Sequence, residues 1–149
     1  MTFRIADTQA FAGNPFEIMR GGVLVTVQAK GQINTMTVGW GGFGYFWGRD
    51  TVYMAIRPER HTFGMIQLAD TFSVSVLPKT DSARDILDFC GSVSGRDRDK
   101  IEACGLTVAF MEDTPYFQEA ETVFICEKLA NPHMTGDWIL PGHGIKEQW

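Results

Sequence analysis

The chain has 149 residues, of which 44% are hydrophobic and 21% charged, and its formal net charge is −5. That length and balance predict one soluble globular domain over residues 1–149. The acidic charge disfavours a nucleic-acid partner, because binding to a phosphate backbone requires a basic surface. No apolar run approaches the roughly 18 residues that cross a bilayer, so we expect no membrane association.

Short apolar runs separated by glycine, proline and polar turns predict an antiparallel β structure. The segment up to Arg20 lacks periodicity and is predicted to be irregular. Strands are predicted over residues 23–29, 33–40, 51–56, 72–77, 106–110 and 122–129. Helices are predicted over residues 62–69, 82–89 and 97–103, and an irregular tail from about residue 130. Because strands and helices do not alternate as βαβ units would, this order favours a mainly β barrel with peripheral helices.

Residues 39–44 match the G-x-G-x-x-G spacing of dinucleotide-binding loops. In those loops the last glycine opens a helix whose N-terminus faces a pyrophosphate. Here Tyr45, Phe46 and Trp47 follow, and then a predicted strand. We therefore interpret the segment as a glycine-rich turn between strands.

A basic segment, residues 57–62, lies where a predicted strand gives way to a helix. Arg57, Arg60 and Thr62, together with the first amides of the helix, can hold a phosphate. A solvated loop in which Arg60 pairs with Glu59 or with a distant carboxylate explains the same residues about equally well. The spacing leaves both interpretations open.

Two further segments contain candidate ligand-binding residues. The returning strand before the aromatic turn supplies Asn34, Thr35, Met36, Thr37 and Trp40, and with the basic segment it predicts a slot for a flat ring with an anionic tail. In the loop over residues 94–100, Ser94 can cap the next helix or donate to a ligand, whereas the charges of that loop are typical of a solvated helix face.

No nucleophile, paired carboxylates or metal-ligand spacing stands out. The three cysteines, Cys90, Cys104 and Cys126, are odd in number and widely spread, which indicates core thiols in a reducing cytoplasm. No signal-peptide pattern opens the chain. A ring-and-phosphate slot without an obvious acid, base or nucleophile predicts that a cofactor carries the chemistry.

Four motifs follow one another in a distinctive order between about residues 15 and 129. They are residues 34–41 (NTMTVGWG), 57–62 (RPERHT), 72–75 (FSVS) and 90–100 (CGSVSGRDRDK), and the strand 123–129 (VFICEKL) continues the match. In this order and spacing they resemble the flavin reductase-like, FMN-binding split-barrel family, and the flavoredoxin branch is the most similar.

The resemblance implies a six-stranded antiparallel Greek-key split barrel that forms a homodimer and binds one FMN per subunit. By position, Asn34, Thr35 and Met36 would line the isoalloxazine, with Trp40 near the ring. The phosphate would be received by Arg57, Arg60 and Thr62, while Ser94 and Lys100 would approach the flavin. Relatives continue into a further strand beyond the segment 142–149, and its absence is expected to loosen the barrel, alter the dimer or leave the nicotinamide face of the flavin open.

The expected function is that of an FMN-binding oxidoreductase. NAD(P)H or a redox protein would reduce the bound flavin, which would pass electrons onward. One alternative is a flavin-binding protein or electron carrier without turnover of its own. Another is a split barrel that holds a different ligand, such as haem, or none.

Overall fold

The computed structural model describes residues 2–148, so the expectations for the two terminal residues lie outside the described part of the chain. Its helices are α1 (Pro15–Gly21), α2 (His61–Leu68), α3 (Asp81–Ser92) and α4 (Lys100–Ala103). Its strands are β1 (Val23–Ala29), β2 (Gln32–Val38), β3 (Gly41–Phe46), β4 (Arg49–Met54), β5 (Thr71–Val76), β6 (Val108–Met111), β7 (Thr114–Phe117) and β8 (Thr122–Glu127).

Every strand pairing in the described residues is antiparallel. The main sheet has the order β2-β1-β5-β8, while β3–β4 and β6–β7 form two separate hairpins. The sheet does not close on itself, which is the arrangement of a split barrel. The prediction of a mainly β split barrel is confirmed, with eight short strands in the described chain instead of the six expected.

Strand β1 is buried along most of its length on both faces, which explains its continuous run of β-branched residues. Leu24 packs on one side with Phe117 and the α3 residue Cys90. Val23 and Val25 point to the other side, toward a second cluster that includes Met36 and β5 residues. The sheet therefore has a covering layer on each face, and β1 is its centre.

Two segments form regular structure that the sequence analysis treated as irregular or as a turn. Residues 15–21 form α1, because the Asn14 side-chain oxygen accepts from the Phe16 amide at 3.0 Å and Pro15 occupies the first turn. The prediction of a glycine-rich turn is wrong for Gly41–Phe46, because these residues form β3. A β-carbon at Gly41 would overlap the Tyr53 carbonyl, so glycine permits the close hairpin pairing.

Several boundaries also differ from the predicted ones. Helix α3 continues to Ser92, and the predicted helix over 97–103 is reduced to Lys100–Ala103 because the Asp99 carboxylate caps it there. Strand β7 was not predicted, since Pro115 within it removes a backbone donor. The tail is irregular as expected, apart from the 3-10 turn Gly136–Trp138. No helix between residues 2 and 148 has the length and apolar character to cross a membrane.

The β6–β7 hairpin offers a test of how the core is held. Phe117 is fully buried under β1, whereas Phe110 on the same hairpin is 51% exposed. We expect Phe117→Ala to lower the free energy of unfolding by about 3–5 kcal/mol, because it leaves a cavity in the core. Phe110→Ala should change it by less than about 1 kcal/mol. Urea unfolding of the two variants measures both, and equal effects would contradict the packing.

Candidate functional site

A cavity of about 290 Å³ opens between the end of β2, the start of α2 and the loop between α3 and α4. We call it the central cavity. On the β2 and α2 side it is lined by Met36, Arg57, Glu59, Arg60, His61 and Thr62. On the other side it is lined by Ser92, Val93, Ser94, Gly95, Arg96 and Lys100. Three segments that are distant along the chain, at Met36, residues 57–62 and residues 92–100, thus meet at one site.

The wall formed by β2 and α2 fixes the hydroxyl of Thr62. The Asn34 amide nitrogen donates to the Thr62 hydroxyl oxygen at 2.8 Å, and both side chains are buried. Because this oxygen is already an acceptor, the hydroxyl hydrogen is available to donate to another group. Thr62 lies in the first turn of α2, where the helix dipole favours an anion.

Lys100 is the most buried charged residue of the site, with 4% of its surface exposed. Its ammonium donates to the Thr35 carbonyl at 3.0 Å and to the Cys90 carbonyl at 2.9 Å. Burial lowers the pKa of Lys100, and the nearby charge of Arg60 lowers it further. The two carbonyls offset part of the desolvation cost, and they connect α4 to both β2 and α3.

Three arginines add to the positive charge of the cavity wall. Arg60 donates to the Gly91 carbonyl at 3.0 Å, which holds its guanidinium against the end of α3. Arg96 donates to the Glu59 carbonyl at 3.1 Å, and the Arg57 guanidinium lies 3.3 Å from the Glu59 carboxylate. Within the described lining, Glu59 supplies the one carboxylate, so the wall is net positive in a chain whose total charge is −5.

The loop after α3 is packed directly against Asn34. A β-carbon at Gly95 would overlap the Asn34 side-chain amide, so this position requires glycine for its close approach. The Arg96 amide donates to the Ser94 hydroxyl oxygen at 3.2 Å, which shapes the turn. The contact places Ser94 and Arg96 on the cavity wall opposite Thr62.

His61 lies at the edge of this positive region. Burial lowers its pKa, and the charges of Arg96 and Lys100 lower it further. The imidazole is therefore neutral near pH 7 in the absence of an anion. The part of this pKa shift that is not due to burial reflects the positive charges of Arg96 and Lys100.

The structure brings together most of the residues that the sequence analysis singled out. Those that line the central cavity are Met36, Arg57, Arg60, Thr62, Ser94 and Lys100. Asn34 contacts it through its bond to Thr62. Thr35 contributes the backbone carbonyl bonded to Lys100, while its hydroxyl donates to the Val25 carbonyl at 3.0 Å.

Thr37 and Trp40 are not part of the described lining. The Thr37 hydroxyl donates to the Leu87 carbonyl at 2.6 Å, which attaches β2 to α3. Trp40 follows β2, and its carbonyl accepts from the Ala55 amide at 2.8 Å. A ligand held in the central cavity would have to extend along β2 to reach either residue.

Arg96, Gly95 and His61 line the cavity, although the sequence analysis gave none of them a role in binding. Arg96 was attributed to a solvated helix face and His61 received no function. A signal was present in the placement of Gly95 and Arg96 in the loop that leads to a capped helix. Spacing alone does not show that this loop folds onto β2.

The cysteines contribute no metal site. The sulfur atoms of Cys90 and Cys104 are 4.0 Å apart, and burial raises the pKa of the Cys90 thiol to about 12. Burial likewise raises the pKa of Cys126 to about 12. Among residues 2–148, no group of three or more His, Cys, Asp and Glu side chains is arranged to hold a metal ion.

The sequence matches a known family over most of its length. Residues 17–143 match the model of the flavin reductase like domain, and the chain belongs to this family. Comparison with curated proteins gave no match.

Solved structures with the same fold include two flavoredoxins and an enzyme domain. The flavoredoxin of Desulfovibrio vulgaris (Miyazaki F) has 20% identity and a TM-score of 0.68, with 89% of this chain and 69% of that chain covered. The flavoredoxin of Methanosarcina acetivorans has 20% identity and a TM-score of 0.67, with 90% of this chain and 68% of that chain covered. The FMN-binding domain of a flavin reductases-like enzyme from Shewanella baltica OS155 has 20% identity and a TM-score of 0.66, with 80% of this chain and 65% of that chain covered. The chain therefore spans less than two-thirds of that structure.

The role of Lys100 can be tested through stability. Lys100→Met removes the donor of two carbonyl groups, and we expect the free energy of unfolding to fall by about 2 kcal/mol, because bonds from a charged donor outweigh the relief of desolvation. The matched control is Lys79→Met. The side chain of Lys79 is 86% exposed and pairs with Glu17, so its loss should cost less than about 1 kcal/mol. A Lys100→Met variant more stable than the parent in urea would show that desolvation dominates.

Proposed function

We propose that the central cavity binds FMN. The observation that carries the proposal is the convergence of Arg57 and Arg60 with the oriented Thr62 hydroxyl, in an otherwise acidic protein. This donor set matches the chemistry of a phosphate monoester. Family membership and the FMN-binding domain from Shewanella baltica support the flavin as the group that carries that phosphate.

In this proposal the phosphate is held at the first turn of α2. Arg57 and Arg60 supply charge, and the Thr62 hydroxyl donates to a phosphate oxygen. The isoalloxazine lies along β2, against Met36 and the backbone of Asn34 and Thr35. Ser94 and Lys100 bound it from the opposite wall, and Thr37 and Trp40 would be reached only by the far end of the ring.

The proposed activity is that of an FMN-dependent oxidoreductase of the flavin reductase and flavoredoxin type. Bound flavin would accept electrons from NAD(P)H or a redox protein and deliver them to a second acceptor. The residues of the chain position the ring and neutralise the charge of the phosphate. Donors on the cavity wall would also stabilise negative charge that develops on the reduced ring.

A second candidate function is flavin binding or electron carriage without turnover. It is favoured by the contacts of the described lining, in which the one carboxylate, that of Glu59, lies beside Arg57 and the Lys100 ammonium donates to two backbone carbonyls. These groups can hold a cofactor without supplying an acid–base partner to a substrate. The two functions differ only in whether the bound flavin is turned over.

The proposed assembly is a homodimer. It is supported by the exposed aromatic side chains of the β3–β4 hairpin, among them Tyr45 and Trp47, of which 70% and 75% of the surface is exposed. Aromatic residues clustered on one exposed hairpin are typical of an interaction surface. A second copy of the chain would cover them.

Arg60 provides a test of phosphate binding. We expect Arg60→Ala to weaken FMN binding about 10- to 100-fold, because a charge-assisted bond to the phosphate is lost, while riboflavin binding changes less than about threefold. Quenching of flavin fluorescence measures both affinities. Arg84→Ala is the matched control, since Arg84 is exposed on α3 and lies outside the cavity lining. Equal losses for FMN and riboflavin would exclude a phosphate role for Arg60.

Turnover separates the two candidate functions. The purified protein, reconstituted with FMN, is titrated anaerobically with NADH and with NADPH while the flavin absorbance is followed. An oxidoreductase should bleach the bound flavin faster than the same concentration of free FMN is bleached. A protein that binds FMN but does not exceed the free-flavin rate with either nucleotide, or with a reduced redox protein, is a carrier or binding protein.

A further inference from the structure

Two free thiols contact each other at the two ends of the segment that lines one wall of the central cavity. Cys90 lies in the last turn of α3, and Cys104 ends α4. Their sulfur atoms are 4.0 Å apart, although the two residues are 14 positions apart along the chain. Reduced thiols at this distance make only a weak S–H···S contact. A disulfide requires the sulfur atoms to approach to about 2 Å, a movement that rotation of cysteine side chains can supply.

The backbone around the two thiols is already held together through one residue that lies between them. The Lys100 ammonium donates to the Cys90 carbonyl at 2.9 Å, and the Lys100 carbonyl accepts from the Cys104 amide at 3.1 Å. Residues 91–103 also include Ser94 and Arg96, which line the central cavity with Lys100. A covalent bond between the cysteines would therefore join the ends of this segment at a point where they already meet.

The two thiols differ in their access to solvent. Cys90 is 1% exposed, and burial raises the pKa of its thiol to about 12, whereas Cys104 is partly exposed. Because the thiolate is the form that attacks a disulfide, Cys104 is the residue that a reagent in solution meets first. The third cysteine, Cys126, packs in the cluster that contains Val25, whereas Cys90 and Cys104 pack in the cluster that contains Leu24. Cys126 therefore lies on the other side of β1 from this pair.

We propose that Cys90 and Cys104 form a reversible disulfide, and that this bond restrains the segment that carries one wall of the central cavity. The oxidant is a low-molecular-weight disulfide. The Cys104 thiol loses its proton and attacks one sulfur atom of the oxidant, whose S–S bond breaks. The other half leaves as a thiolate and takes up a proton. The Cys90 thiol then loses its proton and attacks the Cys104 sulfur, which releases the second half as a thiol. Two cysteine thiols are thus oxidised, and one small disulfide is reduced to two thiols.

The expected effect on the wall follows from the states that the new bond excludes. In the reduced protein, the hydrogen bonds of Lys100 connect α3 and α4, and such bonds open in local fluctuations. A disulfide keeps Cys90 and Cys104 together even when these hydrogen bonds are open. Ser94 and Arg96 then remain near their positions on the wall. The restraint is a property of the chain itself, so it does not depend on which ligand the central cavity binds.

The first test counts thiols. The fully reduced protein is incubated with hydroxyethyl disulfide, and the free thiols of the denatured protein are then measured together with the intact mass. The parent should fall from three thiols to one and lose two hydrogen atoms, and dithiothreitol should restore all three. Cys126→Ala is the matched control, and it should fall from two thiols to none. A parent that keeps three thiols, or a Cys126→Ala variant that keeps both of its own, would overturn the proposal.

Two further variants test the order of the steps. Cys90→Ala should stop at a mixed disulfide on Cys104, with one mercaptoethanol group added to the mass, because the second thiol is missing. Cys104→Ala should keep both of its remaining thiols, because Cys90 and Cys126 are shielded by burial. An internal disulfide in either variant would refute the assigned pair. Cys104→Ala alters a partly exposed side chain, so it retains the test should Cys90→Ala not fold.

The second test measures the restraint by hydrogen exchange and mass spectrometry. The amides of residues 91–103 should exchange at least about fivefold more slowly in the oxidised parent than in the reduced parent. The amides of the β3–β4 hairpin, which lies outside this segment, should change less than about twofold. A disulfide that forms but leaves the exchange of residues 91–103 unchanged would refute the restraint.

Discussion

A lysine ammonium taken out of water has to recover its hydration from the protein, and in this fold two backbone carbonyls supply that replacement. Lys100 donates to Thr35 on β2 and to Cys90 on α3, while its own backbone opens α4. The donor of both bonds is charged, so they hold three elements together more strongly than bonds from a neutral donor would. Without these two bonds, Lys100 would no longer attach the loop between α3 and α4 to β2. One wall of the central cavity would then lose its support.

Charge and burial work together around this lysine. The carbonyls that receive it are the ends of peptide dipoles, and the neighbouring Arg60 and Arg96 line the same cavity. Arg60 is itself held by the Gly91 carbonyl, one residue beyond Cys90. The last turn of α3 thus anchors two cations with successive carbonyls, which accords with the negative end of a helix dipole. A binding site for an anion is formed without a strongly basic protein, because the basic groups are concentrated where the elements meet.

The β-branched run of β1, the alternation of β5 and the hairpin between β1 and β2 were sufficient to predict the mainly β architecture, because local pattern dominates there. Pro115 concealed β7, and the glycines of β3 concealed a strand that depends on close pairing with β4. Arg60 and Thr62 were predictable because they occupy a strand-to-helix junction that is recognisable in the chain. The contribution of Arg96 was not predictable, because it depends on the contact of Gly95 with Asn34. No local preference specifies a contact between such distant positions.

The absence of a side chain at Gly95 has a consequence for any redesign of this cavity. Enlarging that residue even to alanine would place a methyl group on the Asn34 amide, and turning that amide aside would break the bond that fixes the Thr62 hydroxyl. A single methyl group would in this way disturb both walls at once.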